Sequence, residues 1–138
     1  MDKFVQTLSA AVFAVCGFLW GRADGLLYAL IAFMALDYIT GVIVAILRKN
    51  LNSEVGFTGI AKKVLILVLV AVGHILDCHV LGGGAVCRSA VIGFYLANEG
   101  ISILENAGNL GIPLPKKLIA VLQQLKKDND DNDKEEKK

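Results

Sequence analysis

Cysteine is scarce in this chain of 138 residues, and its placement excludes more than it suggests. Cys16, Cys78 and Cys87 are odd in number and widely spaced, with no CxxC among them, which rules out a disulfide framework and argues against a zinc site. Net charge is nearly absent as well, at +1, so the chain lacks the basic excess that phosphate binding needs, and nucleic acid is not expected as a partner. There is no GxSxG, no P-loop, no HExxH and no pair of carboxylates in a soluble pocket, so no catalytic residue, metal ligand or cofactor site is assigned and an enzyme is not expected. Both prolines, Pro113 and Pro115, fall together near the C-terminus.

What is abundant is apolar residue, 55% of the chain. A soluble domain this small buries too little surface to hide so much. The apolar residues gather into runs over 4–20, 26–47, 64–81 and 85–104, while nearly half of the charged residues lie in 116–138. At 1.5 Å per residue a 22-residue helix spans about 33 Å, against roughly 30 Å of hydrocarbon. Helix is the conformation expected, because a lone strand in lipid leaves its backbone unpaired and no barrel-like alternation is present. The expected fold is all-α: an integral membrane bundle of three to four transmembrane helices over residues 1–115. A cytoplasmic amphipathic helix and a disordered charged tail over 116–138 complete it. The first run is short; it spans, lies in the interface, or acts as an uncleaved signal-like segment, since no small-x-small cleavage site follows it. Leu118, Ile119, Leu122 and Leu125 share one face of the C-terminal helix. Arg48, Lys49, Lys62 and Lys63 oppose the single acid Glu54, which places the loop from 48 to 63 and the C-terminus in the cytoplasm.

Polar residues inside the runs need a reason, because a charge at mid-bilayer costs on the order of 3 kcal/mol. Asp37 sits near the middle of the second run. It either holds helices together as a hydrogen-bonded acid or lines an oligomeric pore. By depth, Asp77 is matched with Arg88 across the Gly82-Gly83-Gly84 turn, and Glu99 with Lys63. His74 and Asn98 complete the intramembrane polar set. His74 and His79 are five apart and so lie on different helix faces, which disfavours a metal pair there. Cys78 and Cys87 flank the outer turn, where a disulfide is conceivable and less expected than free thiols. Gly41 and Ala45 follow Asp37 at four-residue spacing, and Ser89, Gly93 and Ala97 repeat the spacing in the fourth run; both stripes suit close helix packing.

These residues form a larger pattern. Leu36-Asp37-Tyr38-Ile39-Thr40-Gly41-Val42, Gly56-Phe57-Thr58-Gly59-Ile60-Ala61-Lys62-Lys63 after Ser53, His74-Ile75-Leu76-Asp77, the stretch Phe94 to Asn106, and Gly111-Ile112-Pro113-Leu114-Pro115 resemble the toxin secretion/phage lysis holin family over about residues 26 to 125. The resemblance implies a small protein of the bacterial cytoplasmic membrane that accumulates, forms a homo-oligomer in the lipid bilayer, and opens holes at a set time. Such holes release an endolysin or, in some bacterial relatives, a secreted toxin. It implies about three spans and brings no catalytic residues. Two other readings remain: a small channel or transporter subunit with Asp37, Asp77 and Glu99 as a relay, and a scaffold whose C-terminal helix recruits a cytoplasmic partner.

Overall fold

The structure is a computed structural model that describes residues 2–135, with side chains described through Asp128. Five helices follow one another: α1 (Lys3–Trp20), α2 (Gly25–Leu47), α3 (Ser53–His79), α4 (Val86–Asn109) and α5 (Lys116–Glu135). Among the described residues α1, α2 and α3 are long and apolar enough to cross a membrane. The fold is therefore an all-helical membrane bundle.

The boundaries have local causes. Asp24 and Asn52 precede α2 and α3, and each side chain accepts from the backbone N–H three residues on, at Leu27 and Val55. The Asn52 cap starts α3 eleven residues before the apolar run at 64, so α3 has 27 residues, about 40 Å of helix. The turn between α3 and α4 is built on Gly82, Gly83 and Gly84, all at positive φ, a region that a side chain would strain. The fourth run becomes α4, but its Arg88, Glu99 and Glu105 leave it outside the set of helices apolar enough to cross.

Helix α4 is the centre of the bundle. It packs on α2, α3 and α5, while α2 and α3 touch each other little. The core is Leu27, Leu30 and Met34 from α2, Ile66 and Val70 from α3, and Ile92 from α4. Helix α1 joins at one end only: every residue from Lys3 to Phe18 is exposed, and Leu19, Trp20 and Gly21 are half-buried. There the Trp20 indole N–H donates to the Leu67 carbonyl at 2.8 Å, and the Phe18 and His79 rings lie 5.9 Å apart.

The C-terminal segment departs from expectation. Instead of disorder from Asp128, α5 continues to Glu135; residues 136–138 lie outside the described residues. Helix α5 packs on α4. Leu122 is buried, and a Cβ added at Gly100 would meet its methyl groups at 2.8 and 3.1 Å and Phe33 at 3.1 Å. A bond from Gln124 Nε2 to Asp128 Oδ1, one turn on, carries the helix toward the tail. Gly100→Leu should push α5 off its seat. Trypsin cleavage at Lys126 and Lys127 should then accelerate about tenfold or more, a change that a shift of 1.4 kcal/mol in the docking equilibrium would produce; unchanged cleavage would contradict the packing.

Candidate functional site

Two layers of paired charge cross the bundle, with the apolar core between them. The inner layer joins three helices at Lys63. Its ammonium donates to Asp37 Oδ2 of α2 at 2.8 Å and to Glu99 Oε2 of α4. Asp37, Lys63 and Glu99 each stand ten residues from the helix end on the basic-loop side, about 15 Å by helical rise. Asn106 Nδ2 donates to Asp37 Oδ1 at 3.3 Å and to the Thr40 hydroxyl at 2.9 Å. Asp37 thus joins α2 to α3 and, through Asn106, to α4. The depth match of Glu99 with Lys63 is present, and Lys63 serves Asp37 as well.

The outer layer is built differently from the pairing expected by depth. Asp77 and Arg88 are adjacent, yet their side chains do not pair. Asp77, 1% exposed, accepts the backbone N–H groups of Cys87 and Arg88, both at 2.9 Å. Ala85, at the N-cap position of α4, supplies no side-chain cap, so the α3 carboxylate caps α4 in its place. The Arg88 guanidinium turns to the α1–α2 elbow. It donates to Asp24 Oδ2 at 2.8 Å and Oδ1 at 3.2 Å, to the Trp20 carbonyl at 2.8 Å and to the Arg22 carbonyl at 3.0 Å. Arg88 is 4% exposed, and this fork meets the need of a buried guanidinium for several acceptors. The Arg88 hydrogen bonds, with the Leu27 N–H, lower the Asp24 pKa below its usual 3.8, so Asp24 is ionised at neutral pH.

The other sequence candidates scatter. The His74 ring lies against Gly21, whose added Cβ it would meet at 2.6 Å, and Cys78 Sγ is 3.7 Å from its Nε2. His79 faces Phe18 instead, so the two histidines do not converge. No disulfide joins Cys78 and Cys87. Ala97 is fully buried and Ala45 nearly so, while Gly41, Ser89 and Gly93 are half-buried. Among the glycines, the close approach to another helix's backbone is at Gly73, where an added Cβ would lie 3.1 Å from the Cys87 carbonyl. The spacing stripes missed Gly73 and Gly100 because each is a single contact without a repeat. Asp24 was missed because it lies in a loop between runs, where a charge needs no explanation.

Around the Asp37–Lys63–Glu99 layer, α2, α3 and α4 enclose a cavity of about 850 Å³ whose lining runs along α3 from Glu54 to Leu69. Tyr38 lies across Gly56 and Gly59 at its wall; an added Cβ at either glycine would meet the tyrosine at 3.3 Å. Asn98, half-buried, also lines it. A relay from Asp77 to Asp37 and Glu99 has no path here. By helical rise the two layers are about 16–21 Å apart, with fully buried Leu30, Val70 and Ile92 between them.

Because the pairs differ from the depth match, their rescue patterns differ. Arg88→Asp combined with Asp24→Arg should restore part of the membrane accumulation that either change alone removes. Exchanging Asp77 with Arg88 should not, because a guanidinium cannot accept the α4 N–H groups. Lys63→Met should cost about 3–5 kcal/mol by stranding two carboxylates, with partial recovery on adding Asp37→Asn and Glu99→Gln. Immunoblots of membrane fractions at equal expression read each case.

Comparison with known proteins gives the family. The profile of the bacteriophage holin family matches residues 14–127. An uncharacterized protein of Halalkalibacterium halodurans is 39% identical over 93% of this chain and 98% of its own. An uncharacterized 14.9 kDa protein of Clostridium perfringens, from the nagH 3′ region, is 46% identical over 78% of this chain and 81% of its own. A probable holin of Bacillus phage phi105 is 36% identical over 69% of this chain and 70% of its own. No solved structure matches. The matched region takes in both charge layers, and this chain belongs to the bacteriophage holin family.

Proposed function

We propose that the chain is a working holin: it accumulates in the bacterial cytoplasmic membrane, associates with copies of itself, and opens holes that release an endolysin or a secreted toxin. The observation that carries this reading is the family match over residues 14–127 on a chain whose apolar helices are mostly uncovered. Helices α1 to α3 expose apolar side chains along their lengths, from Phe4 and Phe13 to Ile39 and Val68. Lipid or neighbouring copies must cover such surface. The charged groups inside the bundle are already paired within one copy, which suits a protein that stays intact while it accumulates. The separation of Asp77 from Asp37 and Glu99 argues against a relay-type transporter, and the burial of Leu122 against α4 removes part of the face a scaffold would offer.

Induced expression tests the proposal. The membrane potential should hold and then collapse abruptly after a delay, with a co-expressed cytoplasmic muralytic enzyme released at the same moment. A steady decline from the start, or retention of the enzyme, would overturn it. Asp37→Asn keeps hydrogen bonding but removes the charge that Lys63 answers, and it should shift the time of collapse. Gly93→Leu should reduce crosslinked oligomers and delay or abolish collapse, because helix contacts in lipid depend on close approach. Unchanged timing and crosslinking in both variants would reduce these residues to ordinary packing.

The orientation proposed from the basic residues puts the α2–α3 loop and the C-terminus in the cytoplasm. In a cysteine-free background, single cysteines at Ser53 and at Asp128 should resist an impermeant thiol reagent added to intact cells and react after lysis. Rapid labelling in intact cells would reverse the topology.

A further inference from the structure

The cavity between α2 and α3 has the wall chemistry of a ligand site, and its volume of about 850 Å³ falls within the roughly 300–1,000 Å³ of typical small-ligand pockets. Along α3 its lining runs from Glu54 to Leu69, about 22 Å by helical rise. That is longer than one leaflet's share, about 15 Å, of the hydrocarbon. One stretch of wall, Leu65, Ile66 and Leu69, is apolar. The rest is mixed: Val42, Ala45, Leu51 and Val55 stand among polar groups, of which Glu54, Thr58, Lys62 and Asn98 make no side-chain hydrogen bond or ion pair among the described residues. At the boundary between the two stands the inner charge layer, where one ammonium, Lys63, answers two carboxylates, Asp37 and Glu99. With all three ionised the layer holds one negative charge in excess.

A cavity with one apolar end, a mixed end that carries Lys62, and two carboxylates on a single ammonium between them fits an amphiphile with a cationic head. We propose that it holds one phospholipid with a primary-ammonium headgroup, of the ethanolamine type, from the leaflet on the basic-loop side. The ammonium donates to the carboxylates of Asp37 and Glu99, whose remaining lone pairs accept it. The phosphate lies beside Lys62, and one acyl chain runs along Leu65, Ile66 and Leu69. A primary ammonium is selected over a quaternary one because only the former donates hydrogen bonds, and charge-assisted bonds are the strong ones. The cavity is walled by α2 and α3, which expose apolar side chains such as Ile39, Ile46 and Val68; the acyl chains that cover such faces make a membrane lipid the occupant rather than a soluble amine. Residence in a membrane is the only premise. Binding is read on the purified chain, so its failure leaves hole formation untouched, and a failure of hole formation leaves it untouched.

Native mass spectrometry of the purified full-length chain, given equal amounts of phosphatidylethanolamine, phosphatidylcholine and phosphatidylglycerol, tests the proposal. Phosphatidylethanolamine should be retained about tenfold over each of the others, the ratio set by 1.4 kcal/mol of differential binding. Glu99→Gln should reduce the ratio to near one. Thr58→Trp, which fills the cavity without touching the charge layer, should abolish retention while helix content by circular dichroism stays that of the parent chain. Equal retention of the three lipids, or preference for phosphatidylglycerol, would overturn the proposal. So would retention by Thr58→Trp equal to that of the parent. Displacement of the lipid by soluble glycerophosphoethanolamine at equal concentration would also overturn it, by showing a water-open amine site.

Discussion

One ammonium between two carboxylates, at the same depth on three helices, is the constraint on which the bundle depends. In lipid there is no water to solvate an ion, so each charge must find its partner in the chain. Lys63 on α3 does so by taking one acid from α2 and one from α4. This fixes the rotation of all three helices about their axes and their relative shift along them. The apolar core then fills the space between this layer and the Arg88–Asp24 layer. Because α2 and α3 barely touch, the ion pair between them also spans the gap that becomes the cavity.

The outer layer shows a second rule, that a buried helix end requires partners as strictly as a buried charge does. The carboxylate of Asp77 is committed to two amides of α4, which leaves the adjacent guanidinium to the chain that returns from α1. One α3 acid and one α4 base thus close both the α3–α4 turn and the α1–α2 elbow. The glycine turn makes the first closure compact, and Gly73 lets the two helices meet at backbone distance.

Much of this was legible in the sequence. Apolar runs located the helices, and the family pattern of Asp37, Lys63, Asp77 and Glu99 carried the assignment that the comparisons support. Depth counting along helices found the Glu99–Lys63 pair because both residues lie inside regular helix, where 1.5 Å per residue holds. It failed for Arg88 because the partner, Asp24, sits in an irregular elbow whose position no periodicity describes. The helical extent of α5 was hidden for a related reason: the charged stretch after Lys127 has no apolar signal, and its helix is carried in from Leu122 on a neighbouring element. Glycines used singly, at 73 and 100, left no stripe to read.

Helix α1 differs from the rest in being held by its last residues alone, through the Trp20 indole, the Gly21 seat and the Phe18 ring. From Lys3 to Gly17 every residue is exposed, so little inside the copy covers it. A rod fixed at one pivot keeps its rotational entropy, and loses it only when something outside the copy, lipid or protein, restrains it. Any surface that α1 meets therefore competes with solvation by acyl chains rather than with the protein's own core.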